Sequence, residues 1–557
     1  MKKDPIKYLL IIGMVVTAAL LVGQWSDFQD RRKAPVIKEE TTLSAPMQEL
    51  VATTEVAPSD DDIPTVEAAA PTVQSQTQQL ISVETDTLSL KIDTQGGDIV
   101  YAALPLHYAV LNEPDNPFVL LNQTANHTYV AQSGLVGTHG TDKSGQRPIF
   151  ATAATHYALS QGDDTLIVDL VYQQGSVGIT KRFTFTRGSY VVDLRYLIDN
   201  RSDANWHANL YAQLKRDSQP VITDVGIGLN PYLGAALTTA DEKYRKVDFE
   251  EMAETRGGVK VDVDGGWVAL VQHYFISAWI PASDTRNSFN LRKANTNDMY
   301  FAGFTTPALT VAPGSQGEIA AQFYAGPKDV DTLEGLAPYL DLTVDYGWLW
   351  WIAKPLFAFL QWIYGFIGNL GWSIIVLTII IKAIFFPLSA ASYKSMAKMR
   401  KLGPLMQDLK ERYGDDRQKM SAELMKMYKK EKVNPMGGCL PILIQMPVFI
   451  ALYWVLMESV ELRHTPFLGW IDDLSVKDPY FILPILMGAT MFVQFRLNPT
   501  PPDPTQAKVM QMMPIVMTFM FMWFPAGLVL YWVANNAISI VQQYVITKQI
   551  ENADTAK

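Results

Sequence analysis

Residues 509–547 of this 557-residue chain read VMQMMPIVMTFMFMWFPAGLVLYWVANNAISIVQQYVIT, a run of 39 residues without Asp, Glu, Lys or Arg. A helix of about 20 apolar residues crosses the hydrocarbon core of a bilayer, so the run is too long for one span. Phe524-Pro-Ala-Gly527 supplies turn chemistry near its middle. The sequence therefore predicts two transmembrane helices, residues 509–524 and 528–547, joined by a tight turn.

Three more segments of the last third are long and apolar enough to span a bilayer. They are residues 370–388, 436–458 and 479–495. At the amino terminus, residues 1–25 contain a charge-free run after three lysines. This segment resembles either a signal peptide or an uncleaved anchor. No convincing A-x-A cleavage site follows it, so we favour a retained anchor. We expect one amino-terminal span and a cluster of five.

The charge of the loops predicts the orientation. The 389–435 loop carries twelve Lys or Arg against six Asp or Glu, whereas the 459–478 loop carries two bases against four acids. Positive charge stays on the cytoplasmic side. We therefore expect a multi-pass protein of a bacterial inner membrane, with its amino terminus, the 496–508 loop and the short 548–557 tail in the cytoplasm and its large 24–369 region outside.

Composition excludes several classes of function. A net charge of −10 and a pI near 5.3 argue against DNA binding, which needs an excess of positive charge. Cys439 is the only cysteine, which excludes an intramolecular disulfide and a cysteine metal cluster; we expect it to be a core residue. The sequence lacks H-E-x-x-H, G-x-S-x-G and P-loop motifs. We predict no enzymatic activity, no metal and no cofactor.

The external region divides into three parts. Residues 26–79 are rich in Pro, Thr, Ala, Gln and Glu, which predicts a flexible linker. Residues 80–345 show period-two alternation, which predicts a large β-sandwich. Residues 346–369 are rich in Trp and Tyr and predict an amphipathic helix in the outer interface. A full span is the alternative, and the break expected at Lys354-Pro355 argues against it.

One stretch of the external region, residues 266–275, gathers aromatic and polar groups around His273. Such a stretch is compatible with a sugar site. We favour a structural role for His273, because no motif of the chain accompanies it.

The 389–435 loop predicts a hairpin of two antiparallel helices, residues 391–412 and 417–431. Its methionines form an adaptable apolar face beside a basic one, suited to varied partners or membrane lipids. Alternatively the methionines only join the two helices and the basic side chains are solvated. The residues that we expect to capture a partner are Met396, Lys398, Met399, Arg400, Met420, Met425 and Met427.

Lys382 lies inside the predicted 370–388 span, where a lysine costs about 2.5–3.5 kcal/mol on insertion scales. Its ammonium can snorkel to the inner interface, pair with a carboxylate, or face a wet cavity. Glu458 and Glu461, the only carboxylates near the interior of a predicted span, belong to the opposite, external end of the following helix. We favour a wet cavity inside the five-helix bundle, which the polar residues Thr378, Gln445, Gln494 and Asn535 share.

Five segments closely resemble the Oxa-type family of bacterial membrane protein insertases. They are Ser373-Ile-Ile-Val376 with Lys382, Phe386-Pro-Leu388, Tyr393-Lys-Ser-Met-Ala-Lys-Met-Arg400, Asn434-Pro-Met-Gly-Gly-Cys-Leu-Pro441 with Gln445-Met-Pro447, and Phe524-Pro-Ala-Gly-Leu-Val-Leu-Tyr-Trp532. The resemblance covers nearly the whole chain. It is to the Gram-negative form, whose periplasmic domain is a β-supersandwich similar to sugar-binding folds.

The resemblance implies a protein that inserts nascent membrane proteins and helps them fold, alone or with the Sec translocon (SecYEG and SecDF). It also implies contacts with the ribosome or the signal recognition particle receptor. The implied site is a hydrophilic groove closed toward the periplasm, with Lys382 as its cation. Groove or substrate contacts are expected from Thr378, Gln445, Met446, Pro447, Gln494, Tyr531, Trp532 and Asn535.

The chain departs from the family pattern at two places. Lys382 stands where arginine is commoner, and a lysine cannot grip a carboxylate through two parallel hydrogen bonds. The 548–557 tail also lacks the long basic extension that holds ribosomes in some members. Two rival functions are a transporter of small anions with Lys382 as its binding charge, and an enzyme acting on glycans through the external domain.

Overall fold

The computed structural model describes residues 79–142, 146–219, 231–413, 416–431, 440–498 and 504–555. The expected anchor at residues 1–25, nearly all of the expected 26–79 linker, and Cys439 lie outside the described residues.

Twenty β-strands between residues 80 and 327 make up the first half of the described chain. In chain order they are β1 (Leu80–Glu84), β2 (Ser89–Asp93), β3 (Asp98–Tyr108), β4 (Pro117–Gln123), β5 (Thr128–Val136), β6 (Ala151–Thr152), β7 (His156–Ala158), β8 (Thr165–Gln174), β9 (Val177–Thr186), β10 (Val191–Asn200), β11 (Trp206–Asp217), β12 (Gly234–Leu237), β13 (Arg245–Val247), β14 (Val259–Asp264), β15 (Val268–Val271), β16 (Phe275–Pro281), β17 (Arg286–Lys293), β18 (Met299–Thr305), β19 (Leu309–Val311) and β20 (Ser315–Pro327).

These strands form two large sheets. The eleven-stranded sheet has the order β14-β17-β18-β11-β5-β4-β3-β2-β1-β7, with β19 also on β11. The nine-stranded sheet has the order β13-β12-β15-β16-β20-β10-β9-β8-β6. Named strands pair antiparallel except β1 with β7. One apolar core draws residues from both sheets, so the predicted β-sandwich is confirmed.

The period-two pattern explains how the strands make this core. In β10 the alternate residues Val192, Leu194, Tyr196 and Ile198 are all at most 1% exposed. Leu194 pairs with Phe183 of β9, whose side chain also points inward. Because side chains alternate between the two faces of a strand, the buried set of each strand fixes its register.

Helices dominate the chain after β20. They are α1 (Phe249–Glu254), which interrupts the strands, then α2 (Val330–Leu336), α3 (Trp350–Ile367), α4 (Leu370–Ile384), α5 (Phe386–Lys401), α6 (Gly403–Tyr413), α7 (Arg417–Lys430), α8 (Leu440–Glu458), α9 (Ile482–Leu497), α10 (Pro504–Phe521) and α11 (Ala526–Thr555). A second apolar core joins α2, α3, α4, α8, α9, α10 and α11 to the outer surface of the nine-stranded sheet, and it includes Trp267 and Tyr324 of the sheet with Leu349 and Leu360.

The expected break at Lys354-Pro355 is wrong. Helix α3 continues through Pro355, although a proline inside a helix removes one hydrogen bond and costs about 3 kcal/mol. Three helical neighbours on one face, Phe357, Leu360 and Ile363, are at most 9% exposed, and burying them offsets that cost. Lys354 forms a salt bridge with Asp341 at 2.9 Å.

Two expected helices are divided by prolines. Residues 370–388 form α4 and the first residues of α5, which bend by 68° where Pro387 opens α5. Residues 391–412 are interrupted at Leu402, and Pro404 lies in the first turn of α6. Proline has no amide hydrogen for the preceding turn and favours the start of a helix. The carboxy-terminal helix is longer than expected, because α11 continues through residues 548–555.

Among the described residues, no single helix combines the length and the apolar character needed to cross a bilayer; the bent pair α4 and α5 does so jointly. Shorter apolar helices occur at Gln445–Glu458, Ile482–Leu497 and Ala507–Phe521.

Candidate functional site

Three helices, α4, α8 and α11, bring polar side chains together inside the helical half. Helix α4 starts at Asn369, whose side chain accepts a hydrogen bond from the Trp372 amide at 3.1 Å. Lys382 follows near the carboxy-terminal end of α4 and is only 5% exposed. The lysine is therefore held inside the bundle.

The Lys382 ammonium has two hydrogen-bond partners in the described part of the chain, and both are neutral. Its Nζ donates to Gln445 Oε1 at 3.0 Å and to Ser539 Oγ at 2.7 Å. None of the salt bridges between described residues involves Lys382. Of the alternatives for this cation, pairing with a carboxylate is thus not found among the described residues.

The neutral partners of Lys382 are themselves connected. The Gln445 side-chain amide donates to Asn535 Oδ1, and Ser539 Oγ donates to the Asn535 carbonyl at 2.7 Å. Gln542 donates to the Lys382 carbonyl at 3.5 Å. Lys382, Gln445, Asn535 and Ser539 form what we call the cation cluster. It can offer N–H donors and amide oxygens to a polar segment of another molecule.

The other expected site residues are placed around the cation cluster in different ways. Thr378 lies one turn before Lys382, fully buried, and its hydroxyl donates to the Ile374 carbonyl at 2.7 Å. Tyr531 is buried beside Gln445, and its ring stacks on Phe449.

Four further candidates are more accessible. Trp532 contacts Phe449 edge-to-face at a ring distance of 4.4 Å and is partly exposed. Met446 is 42% exposed, and the half-buried Pro447 follows it inside the continuous helix α8. Gln494 is half-buried on α9. One polar contact between α11 and the middle of α9 runs from Asn536 to Thr490 at 3.3 Å.

Ser539 is the functional candidate that the sequence interpretation missed. It is a single small polar residue, and its residue type alone does not indicate a functional site. Its spacing does, because Ser539 follows Asn535 by four residues and so lies on the same face of α11. Gln542 and Gln543 continue the polar surface of this helix, and Gln543 donates to Asn498 at 3.1 Å.

The methionines of the helical hairpin, α5 to α7, lie in two different environments. Tyr428 and Leu402 form a small buried centre, and the Tyr428 hydroxyl donates to Met406 Sδ at 3.2 Å. Met399 and Met427 pack on this centre, whereas Met425 is 51% exposed. Met396 and Met420 are half-buried, and Lys398 and Arg400 are exposed. Some of the methionines therefore join the helices of the hairpin, whereas Met425 leaves an apolar side chain at the surface.

Both halves of the chain match families of known proteins. Residues 80–359 match the family model described as "YidC periplasmic domain", and residues 362–553 match "60Kd inner membrane protein". A membrane protein insertase YidC from Cellvibrio japonicus is 56% identical, with 99% of each chain covered. Its counterpart from Saccharophagus degradans is 54% identical, with 98% of this chain and 99% of the relative covered.

Among solved structures, a crystal structure of an active YidC insertase is 20% identical, with 84% of this chain and 92% of that chain covered and a TM-score of 0.37.

Proposed function

Because this chain belongs to the YidC family of membrane protein insertases, we propose that it inserts nascent membrane proteins into the bacterial inner membrane and helps them fold. Its relatives are named for insertion, which is not an enzymatic activity. The substrate is thus a polypeptide with an apolar helix and a polar segment that must cross the bilayer.

The observation that carries this proposal is a buried cation with neutral partners. A lysine has three N–H donors, and the described contacts of Lys382 use two. Burying an ammonium without a counter-ion is costly. An incoming carboxylate compensates that charge, so a segment bearing Asp or Glu binds more favourably than the same segment without it.

The driving force comes from the apolar helix of the substrate. Burial of apolar surface is worth about 25 cal/mol per Å², and a full transmembrane helix gains more in lipid than a short polar tail loses. The polar tail still loses its water while it crosses. The cation cluster lowers that barrier by replacing part of the lost hydration with hydrogen bonds. No nucleotide or metal is needed for this process.

The cytoplasmic hairpin receives the substrate first in this proposal. Met425 of α7 offers an apolar contact, and the exposed Lys398 and Arg400 of α5 offer positive charge, for a nascent chain or for anionic lipid. The Sec translocon, the ribosome and the signal recognition particle receptor are partners proposed from the family resemblance.

The proposed topology has the amino terminus in the cytoplasm, an anchor at residues 1–25 and the β-sandwich in the periplasm. Five spans at residues 370–388, 436–458, 479–495, 509–524 and 528–547 enclose the groove. The inner-membrane location is that of the family; the charge of the loops supports the orientation.

Reconstitution tests the proposal. Purified protein in liposomes should insert a newly made single-span protein with an acidic tail, measured by protection of the tail from added protease. Liposomes without the protein give the background. If insertion stays at background, the proposed function is wrong, and uptake of a small anion by the same liposomes would favour the rival transporter.

A further inference from the structure

The outer end of helix α8 is held by two side chains of the β domain. His273, in the turn between β15 and β16, bonds through Nε2 to the Met457 carbonyl at 2.7 Å. Lys328, directly after β20, donates from Nζ to Glu458 Oε2 at 2.5 Å. These two contacts take up a free carbonyl of the last helical turn and its terminal carboxylate.

Both contacts are sealed from solvent. The side chains of Lys328 and Glu458 are 2% and 5% exposed, and His273 is 7% exposed. Burial, with the charge of Lys328 as the next cause, lowers the pKa of His273 to about 3, so the ring is neutral. A buried ion pair loses most when one partner is removed, because the other charge is left uncompensated. The pair therefore resists separation of the β domain from α8.

The segment after α8, residues 459–478, covers the outer end of the helical bundle, and we call it the external cap. Its Leu474 and Val476 carbonyls accept hydrogen bonds from Gly527 at 2.9 Å and Ala526 at 2.7 Å, at the turn between α10 and α11. At its end, Asp478 accepts from the Leu483 amide at 2.7 Å and so holds the start of α9. The external cap thus ties three helix ends together.

The β domain also holds the external cap itself. Arg463 Nη2 donates to the Tyr108 carbonyl at 2.6 Å, and its guanidinium lies 5.5 Å from the centre of the Phe275 ring. The Tyr274 hydroxyl bonds to Ser475. With the two contacts at α8, four attachments join one end of the sandwich to the cap and to the helix that precedes it.

We propose that the β domain acts as a lock on the external cap, with Lys328 and His273 as positioning residues that keep the outer end of the helical bundle closed. This inference rests on the proposed function, since a closed outer end directs a polar segment past the cation cluster and into the bilayer side of the bundle. Loosening the lock exposes the space beneath the cap to outside solutes.

The lock is tested by measuring how fast a reagent added outside labels a cysteine buried near the cap. Leu528 is fully buried and directly follows Gly527, which packs against Leu462 and Leu474 of the cap; it is replaced by cysteine in a Cys439→Ser background. A membrane-impermeant thiol reagent is added to proteoliposomes whose β domain faces outward. A parallel protein carries Leu214→Cys, inside the sandwich core and equally buried, which reports on unfolding of the β domain.

The lock predicts that Lys328→Met speeds labelling of Leu528→Cys at least about tenfold and leaves Leu214→Cys unchanged. The exchange of both charges, Lys328→Glu with Glu458→Lys, should return labelling toward the wild-type rate. Arg195→Met is the matched control, because its salt bridge with Glu318 is exposed and should leave both sites unchanged.

A second pair of variants covers the case in which Lys328→Met does not accumulate. His273→Leu removes the bond to Met457 and should speed labelling, whereas His273→Gln keeps an N–H donor and should not. Wild-type labelling rates in both Lys328→Met and His273→Leu would overturn the lock, as would equal acceleration at Leu214→Cys. Insertion measured on the same liposomes is a separate result, so failure of the proposed function does not mimic failure of the lock.

Discussion

The β-sandwich and the helical bundle each bury a lysine, and their surroundings differ in charge. Lys181 of the sandwich donates to the carbonyls of Gly96 at 2.8 Å and Ser133 at 3.1 Å. Beside it, Arg147 bridges Asp98 and Asp142, so two basic side chains lie with two carboxylates. Lys382 of the bundle has only neutral partners among the described residues. The first cluster is complete by itself, whereas the second can gain from an external carboxylate.

The largest expected effect breaks the complete cluster. Arg147→Met leaves Asp98 and Asp142 buried without their cation, which should lower the free energy of unfolding of the β domain by about 3–5 kcal/mol. Thermal or urea unfolding followed by circular dichroism measures it. Arg182→Met, which breaks a half-exposed pair with Asp169, is the control and should cost under about 1 kcal/mol. Equal losses would show that the buried cluster has no special role.

The pH dependence of stability sharpens the contrast. Burial lowers the pKa of Lys181 to about 7 from its ordinary 10.5. The unfolded chain therefore binds more protons between these values, and stability should rise with pH, by about 1 kcal/mol per unit from pH 7 to 9. This stabilising contribution of Lys181 is complete above about pH 10.5, the pKa of the lysine in the unfolded chain, and it is lost as pH falls through about 7.

Lys181→Met is the variant that isolates this effect. Unfolding in urea at pH 7, 8 and 9 should show a smaller rise for the variant than for the wild-type protein. The same rise in both proteins would mean that another group titrates in this range.

The smallest expected effect concerns the incomplete cluster. Ser539→Ala removes one neutral acceptor from Lys382 and should reduce insertion of an acidic-tailed substrate about fivefold, since the loss of one hydrogen bond costs about 1 kcal/mol. Insertion is measured by protease protection. Ser539→Thr keeps the hydroxyl and should retain activity, so equal activity of the alanine and threonine variants would exclude a role for this bond.

The sequence predicts those parts of the fold that depend on neighbours along the chain. The alternation of Val192, Leu194 and Tyr196 predicts a strand with one buried face, and the structure buries these residues. The effect of a proline is not predicted by the local sequence. A break was expected at Pro355, but tertiary burial keeps α3 intact there. One continuous helix was expected across Pro387, but the chain starts a new helix at this proline. Local pattern therefore predicts the class of an element better than its ends.

The candidate site was predictable to the extent that its residues are unusual for their segment. Lys382 is a charge in an apolar run, and Gln445 and Asn535 are amides in apolar helices, so all three could be named in advance. Ser539 could not, because a serine in a helix carries little signal. The pair of Lys328 with Glu458 joins residues 130 positions apart. Only the packed structure shows which distant charges meet.

Insertion with charge-matched substrates tests the central claim most directly. Two single-span substrates differ only in an acidic or an amide-bearing tail, and each is offered to wild-type protein, Lys382→Ala and Lys382→Arg in liposomes. Lys354→Ala, which removes a lysine of the partly exposed salt bridge at α3, is the control.

If Lys382 is a cation available to substrate carboxylates, the wild-type protein should insert the acidic tail about tenfold better than Lys382→Ala does. Lys382→Arg should retain this preference, and the amide-bearing tail should be inserted equally by all four proteins. An unchanged preference for the acidic tail in Lys382→Ala would contradict the account.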